Sequence, residues 1–184
     1  MPVQLGLRPN YTRAVWAYPH KLIASTKHEG DVAIMSPLKV TERHLPHWSV
    51  EGATYYITFC LKSGSLSDQD LEIVLTQVKS GHGKFYELTA VCVMPDHVHL
   101  ILCPRQSRSV SEITRGIKGV SSRKINQARG TRGALWQEES WDRILRSEEE
   151  LYEKLNYMLM NPMKANLASD PWSYKGWHLQ RTEG

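Results

Sequence analysis

Nowhere in the 184 residues does an apolar run approach the roughly 18 residues a membrane-crossing helix needs, so no membrane role is expected. The opening segment, MPVQLGLRPNYTRAVWAYPHKL, has no continuous apolar stretch before a small-residue cleavage site, which argues against a secretory leader. Cysteine is scarce. The three present, Cys60, Cys92 and Cys103, form no Cys-x-x-Cys pair and lie in apolar runs, as buried thiols of a reducing cytoplasm would. Internal repeats and low-complexity tracts are missing, and 41% hydrophobic with 23% charged residues excludes a disordered chain. Acid is almost missing from one stretch. Between residues 105 and 132 the sequence places Arg105, Arg108, Arg115, Lys118, Arg123, Lys124, Arg129 and Arg132 against Glu112 alone. Such a stripe suits either a phosphate backbone or an ordinary solvated helix face.

Residues 1 to about 42 show no clean period and are read as an N-terminal extension of unknown role, with Met35 as an alternative start. From 43 to 184 the pattern is regular enough for one domain. Thr54–Leu61 is β-branched and aromatic, so it predicts a strand. Leu71, Val74, Leu75 and Val78 predict a helix over about 68–80, ended by Gly81-His82-Gly83. Strands follow over Tyr86–Met94 and Val98–Cys103, joined by a Met94-Pro95-Asp96 hairpin. Ser109-Val110-Ser111-Glu112 is a capping box opening a helix with Val110, Ile113, Ile117 and Val120 inward. Ala134–Leu145 reads as extended. Ser147 to Glu150 is a second capping box, opening a helix to about Met160 that Asn161-Pro162 stops. The order gives an α+β fold: a ferredoxin-like βαββαβ antiparallel sheet with helices on one face, then a C-terminal helix.

Chemistry concentrates at Met94-Pro95-Asp96-His97-Val98-His99-Leu100-Ile101-Leu102. Strand alternation turns His97 and His99 to one face and Val98 to the other. Two imidazoles roughly 7 Å apart at strand spacing can share one divalent ion, or can simply sit on an exposed face. On the last helix, Leu151, Leu155, Met158 and Leu159 make an apolar stripe. Tyr157 and Asn161 lie off it and share a face at i and i+4, with Lys154 nearly alongside. A partly exposed aromatic and a helix-stopping Asn-Pro are the plainer readings of that pair.

Four blocks in this order, Pro95-Asp96-His97-Val98-His99-Leu100, Leu135-Trp136-Gln137, Glu148–Leu151 and Tyr157–Ala165, resemble the single-tyrosine HUH transposases, and within them the REP-associated tyrosine transposases of bacteria. The resemblance covers about 43–177; the extension finds no match. It implies a bacterial cytoplasmic enzyme that cuts and rejoins single-stranded DNA at hairpin-containing sites through a 5′-phosphotyrosine. His97 and His99 match the family's metal-binding pair, Tyr157 its nucleophile, and Asn161 the polar residue that completes a Mg²⁺ or Mn²⁺ site. A homodimer is implied as well. Asn166 stands where the family more often has glycine.

Grip on DNA is expected from Arg115, Lys118, Arg123 and Lys124 through phosphates. Lys154, nearly alongside Tyr157, is a further DNA-binding candidate, and either it or the metal would steady the phenolate. Trp136, Trp141, Trp172 and Trp177 are candidates to stack on unpaired bases, with core packing the stronger reading for Trp136 and Trp141. The competing function is a non-catalytic relative that binds DNA or RNA hairpins. A metal-dependent hydrolase of small phosphate compounds would need a closed pocket, and the basic stripe argues against it.

Overall fold

A computed structural model describes residues 39–41, 47–49, 52–105 and 108–180. The extension assigned to residues 1–42 therefore lies outside the described residues, except for β1 (Lys39–Thr41), which pairs antiparallel with β2 (His47–Ser49). The main body runs β3 (Thr54–Cys60), α1 (Asp68–Lys79), β4 (Tyr86–Val93), β5 (His97–Pro104), α2 (Val110–Arg129), β6 (Trp141–Leu145), α3 (Glu148–Lys164), a 3₁₀ turn at Pro171–Ser173, and β7 (Trp177–Leu179). Its strands form one sheet in the order β6-β3-β5-β4-β7, every neighbouring pair antiparallel. From β3 to β6 this is the expected βαββαβ unit. Each helix crosses over one intervening strand, so α1 and α2 lie side by side. β7, which the sequence pattern does not announce, extends the β4 edge with three residues. Among the described residues no helix is long and apolar enough to cross a membrane.

Alternation along the strands divides the sheet into two faces. Tyr55, Ile57 and Phe59 of β3, Val91 and Val93 of β4, and Val98, Leu100 and Leu102 of β5 enter one core with Leu71, Val74 and Val78 of α1 and Ile113, Ile117 and Ile125 of α2. The other face carries Tyr56, Thr58, Cys92, His97 and His99, and α3 crosses it with Leu151, Leu155 and Met158 buried. All three cysteines are thiols, but only Cys92 is fully buried; Cys60 and Cys103 are half-buried near strand ends.

Local signals explain most boundaries. The Ser109/Glu112 capping box forms as expected, and Ser67/Asp70 forms another at α1. At α3 the second box is only half made. Ser147 accepts from the Glu150 backbone, but the Glu150 carboxylate turns to Arg143 and the Arg146 amide. The expected stop at Asn161-Pro162 does not occur, and α3 continues to Lys164 with Pro162 inside it. A proline removes one N–H, and the turn continues through the Ala165 amide on the Asn161 carbonyl and the Leu167 amide on the Pro162 carbonyl. The helix ends beyond, where Asn166 takes the left-handed conformation (φ 55) that glycine would adopt without a Cβ penalty.

Asp70 illustrates how one basic residue of the stripe is spent internally. Its carboxylate is buried and receives Arg129 through Nη2 at 2.6 Å and Nε at 3.3 Å, plus the Ser67 amide at 2.7 Å. Burial pushes this carboxyl up, but the bonds from Arg129 and Ser67 outweigh it and hold it below its ordinary 3.8. The folded value is depressed, so the contribution is fully present above about pH 4 and fades as pH falls through the lower folded value. Arg129→Ala leaves Asp70 buried without its cation, and is expected to cost about 2–4 kcal/mol at pH 7. Urea unfolding checks this. The acid-side loss of stability should also be shallower in Asp70→Asn than in the parent.

Candidate active site

The β5 register builds the site. Thr58 pairs across to His99 and Cys60 to His97, so β3 supplies the floor beside the imidazoles. The two rings sit with centroids 4.6 Å apart, and each is fixed through Nδ1. Asp96 holds His97 Nδ1 at 2.6 Å. A carboxylate only accepts, so Nδ1 carries the proton, and in the neutral ring Nε2 presents a lone pair. Asp96 is thus more than a turn residue. His99 Nδ1 lies 2.8 Å from both the Tyr56 hydroxyl and the Thr58 hydroxyl. Its Nε2 is buried and, among the described residues, has no hydrogen-bond partner.

Burial, reinforced by the neighbouring His97, pushes the His99 imidazole down to about 3. It is neutral at physiological pH, as a metal ligand must be. Burial also pushes the Tyr56 phenol up to about 12, which keeps it a hydroxyl rather than a nucleophile.

α3 brings its own residues over this floor. Tyr157 meets His99 edge to face at 5.5 Å between centroids, yet is 42% exposed. Asn161 reaches His97, with its side-chain nitrogen 3.3 Å from Nε2. Amide oxygen and nitrogen occupy equivalent places, so a half-turn of that amide would direct Oδ1 at the same point. His97, His99, Tyr157 and Asn161 are therefore brought together, Tyr157 and Asn161 from the shared face of α3 that their spacing predicts.

The donor set fits a divalent ion. Two imidazole lone pairs and an amide converge, and one of them is a buried nitrogen without a partner. Among the described residues no three His, Cys, Asp or Glu side chains are placed so as to hold a metal ion together, so Asn161 and substrate oxygens would have to complete the shell.

Lys154 faces the sheet from α3. Its amine pairs with Glu153 at 3.0 Å and lies over the Tyr56 ring at 5.9 Å. A cation over Tyr157 is Lys164, 5.5 Å from the ring centroid and about two helical turns further on. Sequence reasoning passed it over because it lay beyond the expected helix stop.

The basic stripe is divided. Arg115, Arg123 and Lys124 are exposed on α2, Lys124 touching Gln77 at 3.2 Å. Lys118 is half-buried and ties down the loop before β6, donating to the Glu138 carbonyl at 2.7 Å and the Ser140 hydroxyl at 3.2 Å. Lys118 and Arg115 line a groove of about 790 Å³ between α2 and residues 134–142. Trp136 is core, edge-on to Phe59 and bonded to Ser121. Trp141 is not core, contrary to expectation, because β6 is a sheet edge. Trp172 is half-buried against Trp177, 6.2 Å away.

Comparison with known proteins gives a consistent neighbourhood. Residues 53–147 match the family model described as "Transposase IS200 like". A putative REP-associated tyrosine transposase of Haemophilus influenzae is 22% identical over 143 residues, spanning 70% of this chain and 81% of that protein. The REP-associated tyrosine transposase of Escherichia coli is 25% identical over 142 residues, spanning 73% and 82%. A solved structure of a REP-associated tyrosine transposase bound to a REP hairpin shares the fold with a TM-score of 0.57 at 22% identity, covering 74% of this chain and 81% of that one.

Proposed function

The chain belongs to the IS200-like transposase family, and from that premise we propose that it cuts and rejoins single-stranded DNA at hairpin-containing sites, with Tyr157 as nucleophile. The observation that carries this is the arrival of an exposed tyrosine on α3 over two imidazoles whose Nδ1 atoms are already engaged. Hairpin DNA as substrate draws support from the hairpin complex of the structural relative.

In the proposed reaction the Tyr157 hydroxyl loses its proton and attacks the scissile phosphorus in line. A Tyr157 O–P bond forms and the P–O3′ bond breaks. The departing 3′ oxygen gains a proton, leaving a free 3′-hydroxyl and a 5′-phosphotyrosine. The linkage keeps the energy of the cut strand, so the 3′-hydroxyl of an incoming strand can reverse the step without a nucleotide cofactor. A Mg²⁺ or Mn²⁺ held by His97, His99 and Asn161 would supply charge neutralisation at the scissile phosphate. The protein's own part is positional. Asp96 sets the His97 tautomer, Tyr56 and Thr58 hold the His99 ring through Nδ1, and Asn161 faces His97 from α3. Lys164 offers positive charge beside the phenolate on attack and again when it departs. Arg115, Arg123 and Lys124 provide phosphate contacts, with Lys118 contributing mainly by holding its loop. A homodimer in the bacterial cytoplasm is the setting we propose.

The test is incubation with Mn²⁺ or Mg²⁺ and a labelled hairpin oligonucleotide carrying unpaired flanks, followed by a denaturing gel. A metal-dependent covalent adduct is expected. Salt-sensitive hairpin binding with no adduct under any metal would instead establish the non-catalytic reading. The holding of His99 is separately testable. Tyr56→Phe combined with Thr58→Val is expected to weaken Mn²⁺ affinity about 10- to 100-fold by calorimetry, with hairpin affinity unchanged.

A further inference from the structure

One exposed aromatic beside the site has no role in the cleavage scheme. Trp141, Thr58, His99 and Cys92 are successive cross-strand partners, so Trp141 shares the face of His99 at the β6 edge. Two strand spacings of about 4.8 Å separate them, roughly 10 Å in all. Trp141 is 48% exposed, whereas Trp136, nearby in sequence, is 5% exposed. Its ring stands edge-on to Tyr56 at 5.7 Å and 74°, and Tyr56 in turn stacks on His99 at 5.4 Å and 23°. The contact orients the indole while leaving much of it open to solvent. Lys154 adds an ammonium over the same Tyr56 ring. Its partner Glu153 is a highly exposed neighbour in sequence, so that ion pair is weak and exchangeable.

A held, open indole beside an ammonium is the chemistry that takes an unpaired nucleotide: the base stacks and the phosphate pairs. We propose that Trp141 is a stacking platform for an unpaired base flanking the scissile phosphate, with Lys154 contacting an adjoining phosphate. This rests on the strand-cleavage reading for the word "flanking", and extends it with a subsite. The platform reads a base's π-face rather than its edge, so it fixes the path of the strand across the β6 edge without demanding a particular base. It also gives a role to the Lys154 ammonium over the Tyr56 ring.

The experiment compares three fluorescein-labelled DNA hairpins by anisotropy at fixed salt: blunt, with thymidine tails, and with abasic tails of equal length. Abasic tails keep the phosphates and remove the bases. The parent protein should prefer thymidine over abasic tails by roughly 5- to 150-fold, the range expected for one base stacked on an aromatic ring. Trp141→Ala should abolish that preference while leaving blunt-hairpin affinity unchanged, and Trp141→Phe should keep most of it. Lys154→Gln should weaken both tailed hairpins alike. A parent with no preference, a preference that survives Trp141→Ala, or an equal loss for the blunt hairpin would each overturn the platform. If that happens while the parent still forms the covalent adduct, the cleavage reading stands alone. A preference without any adduct overturns the cleavage reading, and the flanking position with it.

Discussion

Tyr157→Phe is expected to lose covalent adduct and strand cleavage by at least about 10⁴-fold, the scale seen when a nucleophile is deleted from an otherwise intact site. The change removes one oxygen. The ring keeps its edge contact with His99 and its place under Lys164, so the fold and the floor of the site are untouched. Hairpin affinity should therefore stay within about 2-fold, since phosphate contacts elsewhere carry it. The contrast with Tyr56 sharpens the expectation. That phenol is 5% exposed, bonded to His99 and pushed up to about 12 by burial, so it cannot substitute. Gel-resolved single-turnover cleavage and anisotropy binding together check the prediction. Equal adduct from Tyr157→Phe and the parent would remove Tyr157 from the chemistry.

Replacing the imidazoles has the second largest expected effect. His97→Ala and His99→Ala should each lower cleavage by about 10³-fold or more, because several kcal/mol of charge stabilisation at the phosphate depend on the ion they would hold. They should differ in stability. His97 is partly exposed and linked to an exposed Asp96, so its loss is structurally mild. His99 is buried and anchors two hydroxyls, and its truncation leaves Tyr56 and Thr58 without that partner. His99→Ala should therefore also depress the thermal midpoint, and His97→Ala should not. Manganese titration by calorimetry would show loss of binding in both. Undiminished Mn²⁺ affinity in either variant would exclude that residue as a ligand.

Much of this was written locally in the sequence. The alternation of Pro95-Asp96-His97-Val98-His99-Leu100 already separates a core face from an imidazole face, and β5 obeys it. The Ser109 and Glu112 pairing fixes the start of α2 from four residues. Tyr157 and Asn161 share a side of α3 by spacing alone. What was hidden depends on contacts far apart in the chain. Tyr56 and Thr58 hold His99 only because the β3–β5 register sets Thr58 opposite it, and no short window contains both. The exposure of Trp141 follows from β6 lying at the sheet edge, a property of strand order rather than of residue type. Lys164 was masked by a rule that usually holds. Asn-Pro commonly ends a helix, but here the following amides find carbonyls one turn back, and the helix carries on far enough to bring Lys164 over the tyrosine. Arg129 and Lys118 looked like part of a uniform basic face until their partners, Asp70 and the loop carbonyls, were in place.

The central claim is that Tyr157 becomes joined to DNA. The most direct measurement is mass mapping of the trapped adduct after nuclease trimming and trypsin digestion. Cleavage after Lys154 and Lys164 frees the peptide Leu155–Lys164, in which Tyr157 is the only tyrosine. The predicted result is a nucleotide phosphate mass on that peptide, dependent on Mg²⁺ or Mn²⁺ and missing from Tyr157→Phe. A modified peptide containing Tyr56 instead, or strand cleavage with no modified peptide at all, would contradict it.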